Sequence, residues 1–285
     1  MACTSDPRAT AAALRVLEAG GSAVDAAIAA NAVLGVVEPM SCGLGGDLYS
    51  IVWDAKTQKI CGLNASGRAP KSLTRKVFQE KGLQEIPLYG PLSWSVPGCV
   101  SGWLDLHSKF GRLKMDQVLE PAIGLAEQGF PVSPVIAGFW TKGEQSFGDW
   151  PDSKRTFLLE GTKAPAAGDV FRNPKLAASM RAIAKEGADA FYRGEIAQKI
   201  VDFSRNNGGY LAIEDFHEHE NTWVDPISTE YRGFDVWQIP PNGQGLAVLQ
   251  MLNVLEQHDL RSMGWGSADT VHLLTWRLSM FLSMR

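Results

Sequence analysis

A helix with no solvent-facing side stands near the start of this chain. From Ala26 to Val37 the only polar side chain is Asn31. A helix that is apolar all round is buried all round. It needs packing layers on more than one side, and its many alanines let a sheet approach closely. The flanking signals agree with this. Asp6-Pro7 is a start signal for a preceding helix, with an N-cap and a residue suited to N1. Ala11, Leu14, Val16 and Leu17 give that first helix an apolar face, and Gly20-Gly21 ends it. Ser22 and Asp25 have the spacing of a capping box, a partial match because Asp is shorter than the usual Glu. Glu38-Pro39 stops the apolar helix.

The chain has 285 residues, enough for about two domains or one large one. Its 45% apolar and 20% charged residues are an ordinary globular balance. A formal charge of −4 argues against a strongly electrostatic nucleic-acid binder. No apolar run reaches the roughly 18 residues of a membrane span. The N-terminus lacks the basic and apolar regions of a signal peptide. Cys3, Cys42, Cys61 and Cys99 are widely spaced, which fits reduced thiols better than disulfides or a zinc site. These features favour a soluble, intracellular protein.

A Gly-rich turn spans Cys42 to Asp47. Leu48–Trp53 and Lys59–Asn64 then read as an antiparallel β-hairpin. Ala65 to Pro70 is too rich in breakers for regular structure. Helices are expected from Pro97-Gly98 to Gly111, from Met115 to Gly129, over 174–187 and over 193–206. The stretch 139–172 reads as loop with short helices. Strands are expected at 223–231 and 234–239, with helices from Gly245 to about 257 and from Ser267. No linker separates two domains.

Several residues offer chemistry. Gly243-x-Gly245 has part of a dinucleotide fingerprint, but Val248 replaces the third glycine, and a turn entering a buried helix is preferred. His217-Glu-His219-Glu220 has two imidazoles, yet no third ligand cluster, and reads as an exposed acidic loop. His107, His258 and His272 read as packing or surface residues. Ser66-Gly67 lacks the nucleophile-elbow spacing. Thr270 and His272 point to different helix faces. Cys42 reads as a buried small thiol and not a reactive thiolate. No residue emerges as a catalytic nucleophile, and no metal or cofactor site is expected. Arg68 is the most interesting single residue: a permanent cation whose planar fork grips a carboxylate, in a loop beside Ser66 and Gly67. By chemistry alone, a surface or structurally paired Arg remains the default for it.

The order of these landmarks resembles the γ-glutamyltranspeptidase family. The resemblance runs from Asp6-Pro-Arg through Leu17-Glu-Ala-Gly-Gly-Ser-Ala-Val-Asp to Pro39, then Ser41-Cys-Gly-Leu-Gly-Gly46. Ser93-Trp-Ser-Val-Pro-Gly98, Trp103, Leu106-His107 and Phe110-Gly111 follow. Leu119 to Ser133, Phe171-Arg-Asn-Pro174, Phe191 to Ala197 and Pro240 to Glu256 complete the set. Leu63-Asn-Ala-Ser-Gly-Arg-Ala-Pro70 is closer to the bacterial YwrD-like branch.

The resemblance implies an α+β N-terminal-nucleophile hydrolase fold, an αββα four-layer sandwich, here the incomplete large-subunit portion. It implies a precursor that cuts itself, exposing a Thr nucleophile on a small subunit. The implied chemistry is transfer of γ-glutamyl groups, from amides such as glutathione, to water or to amino acids and peptides. Arg68 aligns with the Arg that holds the substrate α-carboxylate. Residues 1–275 are then a large-subunit-like domain and 276–285 a divergent tail, with the small catalytic subunit absent from this sequence. The expected partners are a γ-glutamyl small molecule and that subunit, with no nucleic acid and no membrane span. The alternative is a catalytically inactive, truncated large-subunit-like protein with only an association role.

Overall fold

In the computed structural model, residues 1–144 and 150–282 are described, with side chains in the last helix described through 275. The chain forms two compact units, Met1–Asp47 with Ser66–Glu220, and Leu48–Ala65 with Asn221–Arg285. The backbone passes between them at 47/48, 65/66 and 220/221, so no sequence linker marks the division.

The first unit is mainly helical. Asp6 caps α1 (Pro7–Glu18) by accepting from Arg8 N. Ser22 and Asp25 form both hydrogen bonds of a capping box on α2 (Ala23–Val37), so the shorter Asp reaches after all. Asp25 does more than cap. Its Oδ2 also accepts from Arg112 N at 2.9 Å and Leu113 N at 3.3 Å. These bonds tie the start of α2 to the turn between α4 (Cys99–Phe110) and α5 (Met115–Gln128). The apolar helix is buried on most sides, with Ala29, Ala32, Val33 and Val37 at zero exposure, but not all round: Ala23 and Ala27 are exposed and Asn31 and Leu34 half-buried along one face. A short α3 (Arg75–Glu80) precedes α4.

Phe130–Pro131 (β3) and Val170–Phe171 (β4) make a two-residue antiparallel pair. The mixed stretch holds α6 (Pro134–Gly143) and α7 (Pro151–Phe157); its residues 145–149 lie outside the described residues. Then come α8 (Pro174–Glu186), a π-helical turn (Asp189–Arg193), α9 (Glu195–Asn206) and α10 (Ile213–His217).

The second unit holds the hairpin. β1 (Leu48–Asp54) pairs antiparallel with β2 (Lys59–Ala65), from Leu48 opposite Ala65 to Asp54 opposite Lys59. β5 (Thr222–Val224) adds to the far side of β2, giving the order β1-β2-β5. The single strand expected over 223–231 is in fact two. Asp225-Pro226 interrupts it, because Pro has no N–H for a ladder and restricts the residue before it. β6 (Ile227–Tyr231) instead forms a separate hairpin with β7 (Phe234–Gln238). α11 (Gly245–Leu255), α12 (Leu260–Met263) and α13 (Ala268–Leu282) follow. In the expected tail, 283–285 lie outside the described residues. α11 is only partly covered: Leu249 and Leu255 are buried, while Leu246 and Val248 are exposed. One face of β1 is also open, with Tyr49, Ile51 and Trp53 exposed in alternation.

Candidate functional site

The site is built where the Gly-rich turn, the 66–70 loop and the start of α4 meet within the first unit. Gly46 O accepts from Gly98 N at 3.0 Å and Cys99 N at 2.8 Å, which satisfies two donors at the helix start. Val96 N donates to Arg68 O at 3.0 Å. On the other side, Asp47 Oδ1 accepts from Gly67 N at 2.8 Å. Gly67 fits only because it lacks a side chain: a Cβ there would stand 1.6 Å from Val96 O. Gly67 N and Arg68 O are thus both held, so this short segment is pinned at each end. The Arg68 side chain is exposed, and no hydrogen bond or ion pair holds its guanidinium among the described residues. A fixed backbone with an unengaged planar cation is an arrangement that can receive a carboxylate.

The other candidates fall elsewhere or are otherwise engaged. Cys42 borders a hollow of about 380 Å³ that Gly35, Pro39 and Asn173 also line. Burial, then the nearby Glu38 charge, push its thiol pKa up to about 11, so it is a protonated thiol at neutral pH. Burial pushes Cys99 up to about 12.

The His217–Glu220 stretch is not simply an exposed loop. His217 ends α10 and is exposed, but His219 is half-buried and stacked on Tyr192, with ring centroids 5.4 Å apart. His219 Nε2 lies 2.9 Å from Ser101 Oγ. Tyr192 OH donates to Pro97 O at 2.7 Å and accepts from Ser101 N at 2.9 Å. His219 therefore packs against the start of α4, which the polar local sequence hides. Among the described residues, no group of three His, Cys, Asp or Glu side chains is arranged to hold a metal.

Gly243-x-Gly245 follows β7 of an antiparallel hairpin, so it is not the turn of a parallel dinucleotide-binding unit. A Cβ on Gly245 would stand 2.6 Å from Ile239 O, which accounts for that glycine. The Thr270 hydroxyl donates to Gly264 O at 2.9 Å. Asp47 escaped sequence reasoning. Its only sequence signal was its position at the end of the Gly-rich turn.

The solved structures that this chain resembles define its class. It superposes on the crystal structure of Helicobacter pylori γ-glutamyltranspeptidase with a TM-score of 0.92, at 30% identity over 99% of this chain and 82% of that one. A cephalosporin acylase from Bacillus halodurans gives 0.88 at 40% identity, over 96% of this chain and 52% of that one. The fold is that of the N-terminal-nucleophile hydrolases, α+β in content.

A model of the γ-glutamyltranspeptidase family matches residues 9–282. The chain belongs to that family. It is 41% identical over 261 residues to the glutathione hydrolase-like YwrD proenzyme of Bacillus subtilis, covering 91% of this chain and 49% of that protein. It is 33% identical to the glutathione hydrolase proenzyme of Escherichia coli, covering 96% of this chain and 48% of that protein. It is also 36% identical to an acylase ACY 1 proenzyme of a Pseudomonas, covering 52% of that protein. The chain thus spans about half the length of these curated relatives, the large-subunit portion. Among the described residues, no helix is long and apolar enough to cross a membrane.

Proposed function

We propose that these residues are the substrate-orienting part of an enzyme that hydrolyses γ-glutamyl amides such as glutathione or transfers their γ-glutamyl group. The observation that carries the reading is Arg68: exposed, unengaged, and fixed through its own carbonyl and the preceding amide. Its guanidinium would take the α-carboxylate of the γ-glutamyl group through two parallel hydrogen bonds. That would hold the γ-carbonyl in one place and favour γ-glutamyl over acyl groups lacking the carboxylate.

The nucleophile belongs to a small-subunit segment. Its N-terminal Thr hydroxyl attacks the γ-carbonyl carbon, with the Thr α-amine as base. The amine product leaves with a proton, and water or an acceptor amine then takes the acyl group from the ester. β1 stands at the end of the order β1-β2-β5 among the described residues, so its edge is where that segment would extend the sheet, and the face with Tyr49, Ile51 and Trp53 is what it would cover. In this reading residues 1–275 work as one large-subunit-like domain, and 276–285 form a divergent tail with no catalytic part.

The test is turnover of a γ-glutamyl anilide. The purified 285-residue chain is expected to show none. The same chain assembled with the small-subunit segment of the 41% identical relative is expected to show it. Turnover by the purified chain, abolished by a mutation within it, would overturn this division of labour. The identity to acylases favours a second reading, hydrolysis of amides other than γ-glutamyl ones. A glutaryl anilide, which lacks only the α-amine, separates the two: preference for it over the γ-glutamyl anilide supports the acylase reading.

A further inference from the structure

We infer that Asp47 is a positioning residue for Arg68, setting how well the enzyme recognises the α-carboxylate of its substrate. The inference rests on the role proposed for Arg68. Asp47 Oδ1 accepts the Gly67 N–H at 2.8 Å, across 20 residues of sequence. The acceptor is a carboxylate, so this bond is stronger than a neutral one. The peptide it holds is Ser66-Gly67, one residue before Arg68.

Val96 holds the next part of the segment. Its carbonyl leaves no room for a side chain at Gly67, and its N–H donates to Arg68 O. Val96 is buried, and two residues later the chain is anchored again, with Gly98 N and Cys99 N on Gly46 O. Gly46 immediately precedes Asp47. The connections form a closed ring: Gly46, the start of α4, Val96, Arg68, Gly67, Asp47. In that ring the Asp47–Gly67 bond is the one link made by a side chain, and so the one that a substitution can cut without altering backbone.

Asp47 is itself exposed, yet no ion pair joins it to Arg68 among the described residues. Its carboxylate orients the loop without neutralising the cation that the loop presents. Cutting the bond frees the Gly67 peptide to rotate. The guanidinium is then no longer preorganised, and the cost falls on substrates that use it.

The experiment compares Asp47→Ala and Asp47→Asn in the chain assembled with a small-subunit segment. The substrates are anilides of the γ-glutamyl, 4-aminobutyryl (no carboxylate) and glutaryl (no amine) groups. The expected result for Asp47→Ala is about a tenfold rise in KM for the two carboxylate-bearing anilides with kcat little changed. The 4-aminobutyryl anilide should be unaffected. Asp47→Asn keeps an acceptor oxygen and should restore the wild-type KM to within about threefold. Equal losses on all three substrates would mean a merely structural residue. A loss confined to amine-bearing substrates would mean that Asp47 contacts the amine itself. Either result overturns the inference.

Arg68→Ala is the control. If it leaves the preference for carboxylate-bearing anilides intact, the role of Arg68 fails and the inference fails with it. If it abolishes the preference while Asp47→Ala does not, the inference alone fails. A measurement independent of turnover is amide hydrogen exchange at Gly67 in the 285-residue chain. It should be fast in Asp47→Ala and protected in the wild type; equal rates would contradict the bond's role.

Discussion

Asn31 Oδ1 accepts the Trp103 indole N–H at 2.8 Å, so the one polar side chain between Ala26 and Val37 meets a polar group on α4. Trp103 is 1% exposed, and its N–H has no water to turn to. Asn31→Leu keeps the helix apolar but removes the acceptor. We expect a loss of about 1–3 kcal/mol, the cost of an unsatisfied buried donor. Urea unfolding followed by tryptophan fluorescence measures it, and an unchanged midpoint would show that the bond contributes nothing net.

Asp25 makes a pH prediction. Burial by itself would raise its pKa. Hydrogen bonds from the Ser22, Arg112 and Leu113 amides outweigh that and hold it below its ordinary 3.8. Asp6 is lowered in the same way, burial opposing and Arg8 prevailing. The unfolded chain therefore binds more protons than the folded one in this range. The stabilisation is complete above pH 3.8 and is lost as pH falls through the depressed folded values. A stability profile from pH 6 to about pH 2 should fall steeply at its acid end. Asp25→Asn should flatten that fall and lower stability at pH 6; a profile parallel to wild type would refute the assignment.

Gly67→Ala tests the close approach behind Arg68. The new Cβ would stand 1.6 Å from Val96 O, and backbone cannot yield as a flexible side chain does. The loop must move, so we expect at least about a tenfold loss of γ-glutamyl anilide kcat/KM in the assembled enzyme. Near-normal activity would mean that the loop position does not matter.

The open face of β1 predicts self-association of the 285 residues on their own. Tyr49, Ile51 and Trp53 are 43%, 43% and 54% exposed along one face of a strand. Light scattering should show a concentration-dependent mass above the monomer, reduced by Ile51→Lys with Trp53→Lys. A cooperative melt from a strictly monomeric chain would contradict the exposed-face account.

Much of the fold was legible because its signals are local. Asp6-Pro7, the Ser22–Asp25 box and Gly129 mark helix ends with residues a few positions apart, and the structure forms those ends. The break in the 223–231 strand was also local, written in Asp225-Pro226, but the β-branched residues on either side masked it. The site was less legible. Arg68 stood out by its chemistry and by the order of family landmarks. The contacts of Asp47 and His219 were not legible, because their partners lie 20 and 118 residues away and no short pattern encodes such contacts. The π-helical turn at Asp189–Arg193 is not encoded by a 3.6-residue period.

The most direct test of the account is kcat/KM for a γ-glutamyl anilide in the assembled enzyme carrying Arg68→Lys. Lysine keeps the charge but loses the paired fork, removing about one charge-assisted hydrogen bond, worth about 1.5–3 kcal/mol. The account predicts a drop of at least about tenfold with the 4-aminobutyryl anilide unaffected. An unchanged kcat/KM for the γ-glutamyl anilide would contradict it.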